Sequence, residues 1–110
     1  GRYEKANEYL ERAVLLSSDP MLYYVMAKNE QSLGQYRQAE KHLLHAIDIL
    51  PERIYPYYLL MNLYTEPSYF QPAKLKMAID SVLTKKPKVE SSAIKEMKEK
   101  ARSMLNNTSI

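Results

Sequence analysis

A chain of 110 residues, 45% hydrophobic and 26% charged, has the length and composition of one globular domain rather than a disordered segment. It has no cysteine, which excludes disulfides, thiol catalysis and cysteine-ligated zinc, and its only glycines, Gly1 and Gly34, leave no phosphate-cradling loop. The net charge of +3 is divided unevenly, with 7 Lys/Arg against 9 Asp/Glu in residues 1–73 and 9 against 4 in residues 74–110. A basic last third hints at an anionic neighbour, but Glu90, Glu96 and Glu99 interleave its lysines and favour a solvated helix face. No apolar run approaches the ~20 residues that a membrane-spanning helix needs.

In chain order, the apolar spacing predicts six helices, over residues 3–17, 20–33, 36–50, 54–65, 72–85 and 92–105. The first places Leu10, Ala13, Val14 and Ser17 on one face. Asp19-Pro20 starts the second: the Asp side chain accepts from a first-turn N–H, and proline at the first helical position forfeits no bond. Gly34 ends it, because glycine enters the left-handed region without a Cβ penalty. The third carries Leu43, Ala46, Ile47 and Leu50 on one face, and Pro51 closes it. Pro56 fits only a first turn, so the fourth helix starts near Arg53. The sixth has Ile94, Met97, Ala101, Met104 and Leu105 on one stripe, with Lys95, Lys98, Glu99 and Arg102 elsewhere, and Ser91 or Ser92 as its cap. Short connections make neighbouring helices antiparallel.

The chain repeats itself. Gly1, Tyr3, Ala6, Leu10 and Ala13 match Gly34, Tyr36, Ala39, Leu43 and Ala46 at an offset of 33, and Tyr23, Tyr24, Met26 and Ala27 match Tyr57, Tyr58, Leu60 and Met61 at an offset of 34. The alanines let helix axes approach while Tyr3, Leu10, Tyr36 and Leu43 fill the adjacent gaps. With Pro51 added, this pattern at a period of about 34 residues resembles the tetratricopeptide repeat family. The resemblance implies an all-α fold, a solenoid of antiparallel helix pairs with about two and a half repeats and a C-terminal capping helix. By this resemblance residues 1–105 are expected to form one such domain, with 1–19 the second helix of a truncated repeat, 20–53 a complete repeat, 54–87 a divergent repeat, 88–105 the capping helix, and 106–110 a frayed tail. The pattern is already under way at Gly1, so the chain is expected to be a piece of a longer protein. The third unit departs from the family: TEPSYFQPAK at 65–74 replaces a short Gly-x-Tyr turn, Leu75 and Val82 stand where small residues are usual, and a shifted or splayed fifth helix is expected.

On a helical wheel Tyr23, Met26, Ala27 and Glu30 share one face, and Tyr57, Leu60, Met61 and Tyr64 share the same face of the next unit. These read as packing stripes. Glu30 is a carboxylate in an apolar stripe and requires a hydrogen bond, an ion pair or partial exposure. Tyr24, Lys28 and Gln31 lie about 100° away, as do Tyr58, Asn62 and Thr65, with Met21 and Tyr55 near the edge. The family resemblance implies that this second face looks into a concave groove that holds a peptide or protein partner. Its alternative is a set of half-buried amphipathic tyrosines. The carboxylate clamp of some family members does not carry over, because only Lys28 and Asn62 are available for it. His42 and His45 face one way three residues apart, yet too few ligands accompany them for a closed zinc site, and they read as surface histidines. The tyrosines lie in the acidic part and the lysines in the last third, which argues against a nucleic-acid surface of interleaved basic and aromatic residues.

These features predict a non-enzymatic protein–protein interaction module with no cofactor and no metal. A narrower resemblance concerns residues 85–105, where Lys88-Val89-x-Ser91-x-Ala93-Ile94 precedes a charged final helix. This segment is similar to the C-terminal repeat extension of bacterial O-antigen ligase/polymerase-like membrane proteins. It implies a periplasmic domain of a membrane-embedded parent that transfers glycan to a lipid acceptor, with the catalytic residues outside this chain and lipid-linked glycan nearby. The rival readings are a cytosolic or envelope scaffold or chaperone adaptor, and an accessory glycan- or anionic-lipid-binding surface built on Tyr24, Tyr58 and the lysine-rich last helix.

Overall fold

A computed structural model describes residues 1–14 and 19–107 of the chain. Among these residues the protein is all-α, with six helices: α1 (Arg2–Val14), α2 (Pro20–Ser32), α3 (Tyr36–Ile49), α4 (Tyr55–Leu63), α5 (Pro72–Thr84) and α6 (Ser92–Asn107). A 3-10 turn, Pro67–Tyr69, joins α4 to α5. The expected C-terminal end of the first helix, with Ser17 on its face, lies outside the described residues.

The helix ends follow from local chemistry. Asp19 Oδ1 accepts from the Met21 N–H at 3.0 Å, and Pro20 fills the first helical position. At the other end of α2 the Gln35 N–H reaches Glu30 O at 2.8 Å and the Gly34 N–H reaches Gln31 O at 3.1 Å. This pair of bonds requires a left-handed residue between them, and Gly34 supplies it with φ 77°. Ser91 Oγ accepts from the Ile94 N–H at 3.2 Å and caps α6.

The chain divides into two compact units, Gly1–Pro51 and Glu52–Ile110. In the first, α2 packs against both α1 and α3. Its core holds Met26, Ala27, Ala39, Leu43 and Ala46, all buried, and each large apolar side chain so enclosed contributes about 1.5–3 kcal/mol. Asn7 ties α1 to α2: its Nδ2 donates to Met26 O at 3.4 Å and its Oδ1 accepts from Asn29 Nδ2 at 2.9 Å. The repeat is only half reproduced in burial. Ala39, Leu43 and Ala46 of α3 are buried, whereas their counterparts on α1 are exposed (Ala6) or half-buried (Leu10, Ala13). The expectation that Ala6 sits under a closely approaching helix is therefore corrected, because nothing among the described residues covers it.

In the second unit α4 packs on α5, and α6 packs on α5 and reaches α4. Leu75 and Val82 are fully buried, together with Ile79, Met61 and Leu63. Larger side chains thus fill the stripe that alanines fill on α3. The longer connection folds back through the Gln71 N–H, which donates to Tyr64 O at 3.2 Å.

Lys98 was expected on the solvated face of the last helix, and the structure corrects this. Its half-buried ammonium donates to Val82 O at 2.9 Å, Leu83 O at 3.2 Å and Lys85 O at 2.9 Å. An ammonium has three N–H bonds, and all three meet carbonyls that the end of α5 leaves without helical partners. The positive charge also lies at the negative end of the α5 dipole.

Candidate functional site

The residues expected to line a groove fall into two groups, one in each unit. On α2, Met21 is 54% exposed, Lys28 is exposed and Gln31 is half-buried. Tyr24 is only 5% exposed, which corrects the expectation that it faces a groove. Tyr23, expected to be a packing residue, is half-buried and packs against the histidines of α3. The physical reason is that α2 lies between α1 and α3 and buries a wider arc than one stripe, running through Tyr24, Met26, Ala27 and Glu30.

Glu30 is 2% exposed and hydrogen-bonded, as a carboxylate in an apolar stripe requires. Its Oε1 lies 2.7 Å from His42 Nδ1. The Tyr23 ring packs against His42 with centroids 5.8 Å apart and meets His45 edge-on at 4.7 Å and 64°. His42 is accordingly a half-buried bonding partner rather than the surface residue expected, while His45 is exposed apart from its contact with Tyr23. Among the described residues no group of three His, Asp or Glu side chains gathers to hold a metal ion. The Glu30–His42 contact gives the buried carboxyl group of α2 a hydrogen-bond partner on α3.

The second group assembles into a surface. Tyr55 and Tyr58 are half-buried on α4, with rings stacked at 6.5 Å and 22°. Asn62 lies one turn further along, and its Oδ1 accepts from Lys100 Nζ of α6 at 2.8 Å. The same ammonium lies 5.5 Å from the centre of the Tyr58 ring, within range of a cation–π attraction. Thr65 is exposed, and its hydroxyl donates back to Asn62 O at 2.7 Å, which closes the end of α4. Tyr55, Tyr58, Asn62 and Lys100 thus form one patch with an aromatic face and a positive charge.

Lys100 was not among the expected site residues, though a signal for it exists. It is three residues after Met97 and four before Met104, so it flanks the apolar stripe of α6, at the edge that meets the neighbouring helices. Two further lysines approach tyrosines in this unit: Lys85 lies 5.0 Å from the Tyr57 ring centre and Lys74 6.0 Å from that of Tyr64. Separation along the sequence is therefore no guide here, because folding brings the basic third onto the tyrosines of α4. Lys74, Lys85, Lys98 and Lys100 are engaged within the molecule rather than simply solvated.

No helix among the described residues is long and apolar enough to cross a membrane. Neither a scan against protein-family models nor a search of curated proteins finds a match to this chain.

Proposed function

We propose that this chain is a tetratricopeptide-type helical-repeat module that binds a segment of a partner protein and does no chemistry of its own. The residues matched between α1 and α3 at an offset of 33 support the repeat. The observation that carries the binding reading is the α4 patch, where the stacked Tyr55 and Tyr58 rings lie beside the Lys100–Asn62 pair. Rigid aromatic side chains next to a fixed cation are the composition favoured in the energetic centres of protein interfaces. A Tyr55→Ala/Tyr58→Ala chain should keep its helical circular dichroism and lose partners that the wild type captures from its own cell extract. Undiminished capture would remove α4 as the site.

A second reading is a glycan or anionic-lipid surface, favoured by the same ammonium over the same ring, which would suit a phosphate or a charged sugar. Glycan arrays and lipid overlays separate the two, since equal signal from wild type and double variant excludes the second. The resemblance of residues 85–105 to repeat extensions of O-antigen ligase-like proteins supports a setting on the periplasmic side of a membrane-embedded parent. Spanning segments encoded upstream of Gly1 would agree with that setting, and further soluble repeats there would contradict it.

A further inference from the structure

We infer that the outer side of α5, with the turn that follows it, rests on the surface of a bilayer bearing anionic lipids. Leu75, Ala78, Ile79 and Val82 give the inner side of α5 to the core. Ala73 and Met77, one turn apart on the opposite side, are exposed, Met77 by 69%. Phe70, two residues ahead of the helix, is 50% exposed, and Val89, five residues beyond it, is 77% exposed. Lysines flank this apolar line. Lys74 and Lys76 are exposed and lie about 80° to either side of Ala73 and Met77 on the helix. Lys86 and Lys88 are exposed in the turn after α5, beside Lys85, whose ammonium lies 5.0 Å from the Tyr57 ring centre. Residues 70–89 thus hold five lysines, no arginine and a single carboxylate, Asp80.

The occupant follows from this composition. Protein interfaces are depleted in lysine and enriched in arginine, the reverse of what this segment carries. A bilayer surface suits it: apolar side chains enter the boundary between headgroups and acyl chains, and the lysine stems beside them carry their ammonium groups out to the phosphates. Each such lysine strengthens binding to an anionic surface about fivefold. Asp80 follows Met77 by three residues on the same side of α5, so the inserted part is Phe70 and the first half of the helix. α5 lies on the surface and does not cross it, because no helix among the described residues is long and apolar enough to do so. This face is separate from the α4 patch, and the inference is independent of what binds there.

The test is co-sedimentation with phosphatidylcholine vesicles that contain or lack phosphatidylserine. The wild type should bind the anionic vesicles, bind the neutral ones about tenfold or more less tightly, and be released by salt. Lys76→Glu/Lys86→Glu should weaken binding about 25-fold or more, whereas Lys5→Glu/Lys41→Glu, the same charge change at exposed lysines of the first unit, should have a much smaller effect. Equal losses from the two pairs would assign the binding to net charge and overturn the inference. The chain has no cysteine, so Met77→Cys carries a single environment-sensitive fluorophore. Its emission should shift to the blue on anionic vesicles, and the same label at Leu44→Cys, exposed on α3, should not shift. No binding, an unshifted label at position 77 on bound protein, or equal shifts at both positions would overturn the inference. Tyr55→Ala/Tyr58→Ala should bind vesicles as the wild type does. Loss of vesicle binding in that variant alone would move the lipid contact to α4 and also overturn it, whereas loss of partner capture alone bears only on the α4 reading.

Discussion

Lys100 and Asn62 are 38 residues apart in the chain, yet Lys100 Nζ donates to Asn62 Oδ1 at 2.8 Å. The bond fixes the last helix beside α4 and holds a positive charge against the Tyr58 ring. Lys100→Met should remove both contacts while keeping the apolar stem. Because the lysine is exposed, the expected cost is small, about 0.5–1 kcal/mol. Thermal melts measure this loss, and a Lys100→Glu variant should reduce partner binding far more than it reduces stability.

Lys98 should matter more to the fold than Lys100. Its three carbonyl partners at the end of α5 lose their donors together in Lys98→Met, at an expected cost of about 1–3 kcal/mol. Hydrogen exchange should locate the effect in α6 and the last turn of α5. Unchanged exchange there would show that water satisfies those carbonyls equally well.

His42→Ala should leave the Glu30 carboxylate buried without its donor, at a cost of about 2–4 kcal/mol. Glu30→Gln should cost less, because the amide still offers His42 a hydrogen-bond partner. A double-mutant cycle on Glu30→Leu and His42→Leu should recover much of the loss, since replacing both members of a buried pair removes the penalty that either single change creates.

Gly34→Ala tests the turn between α2 and α3. An added Cβ would meet no atom within 4 Å, so there is no clash. The penalty comes from φ 77° alone and should be about 1–2 kcal/mol. An Asn substitution, better tolerated in the left-handed region, should cost less.

Helix ends and packing stripes were legible in the sequence because their causes are local. Asp19-Pro20, Gly34 and Ser91 act on backbone groups within three or four residues, and the spacing of Leu43 and Ala46 needs no knowledge of what covers them. The patch was less legible because it depends on which helices surround each face. A wheel drawn for α2 with one packing side assigned Tyr24 outward, whereas contact with both α1 and α3 widens the buried arc. Likewise the charge on α6 read as a solvated face, although Lys98 and Lys100 each flank its apolar stripe closely enough to reach α5 and α4. Tyr55, Tyr58 and Asn62 were anticipated on one side of α4. Lys100, supplied from 38 residues away, completes their surface.

The central claim, a partner-binding face on α4, is tested most directly by a photo-crosslinking amino acid placed at Tyr58 in the protein in its own cell, with Met77, 69% exposed on α5, as the control position. The expected result is a discrete crosslinked protein from position 58 that is absent from position 77 and lost when Tyr55→Ala is added. Identical crosslinking from both positions, or none from position 58, would contradict it.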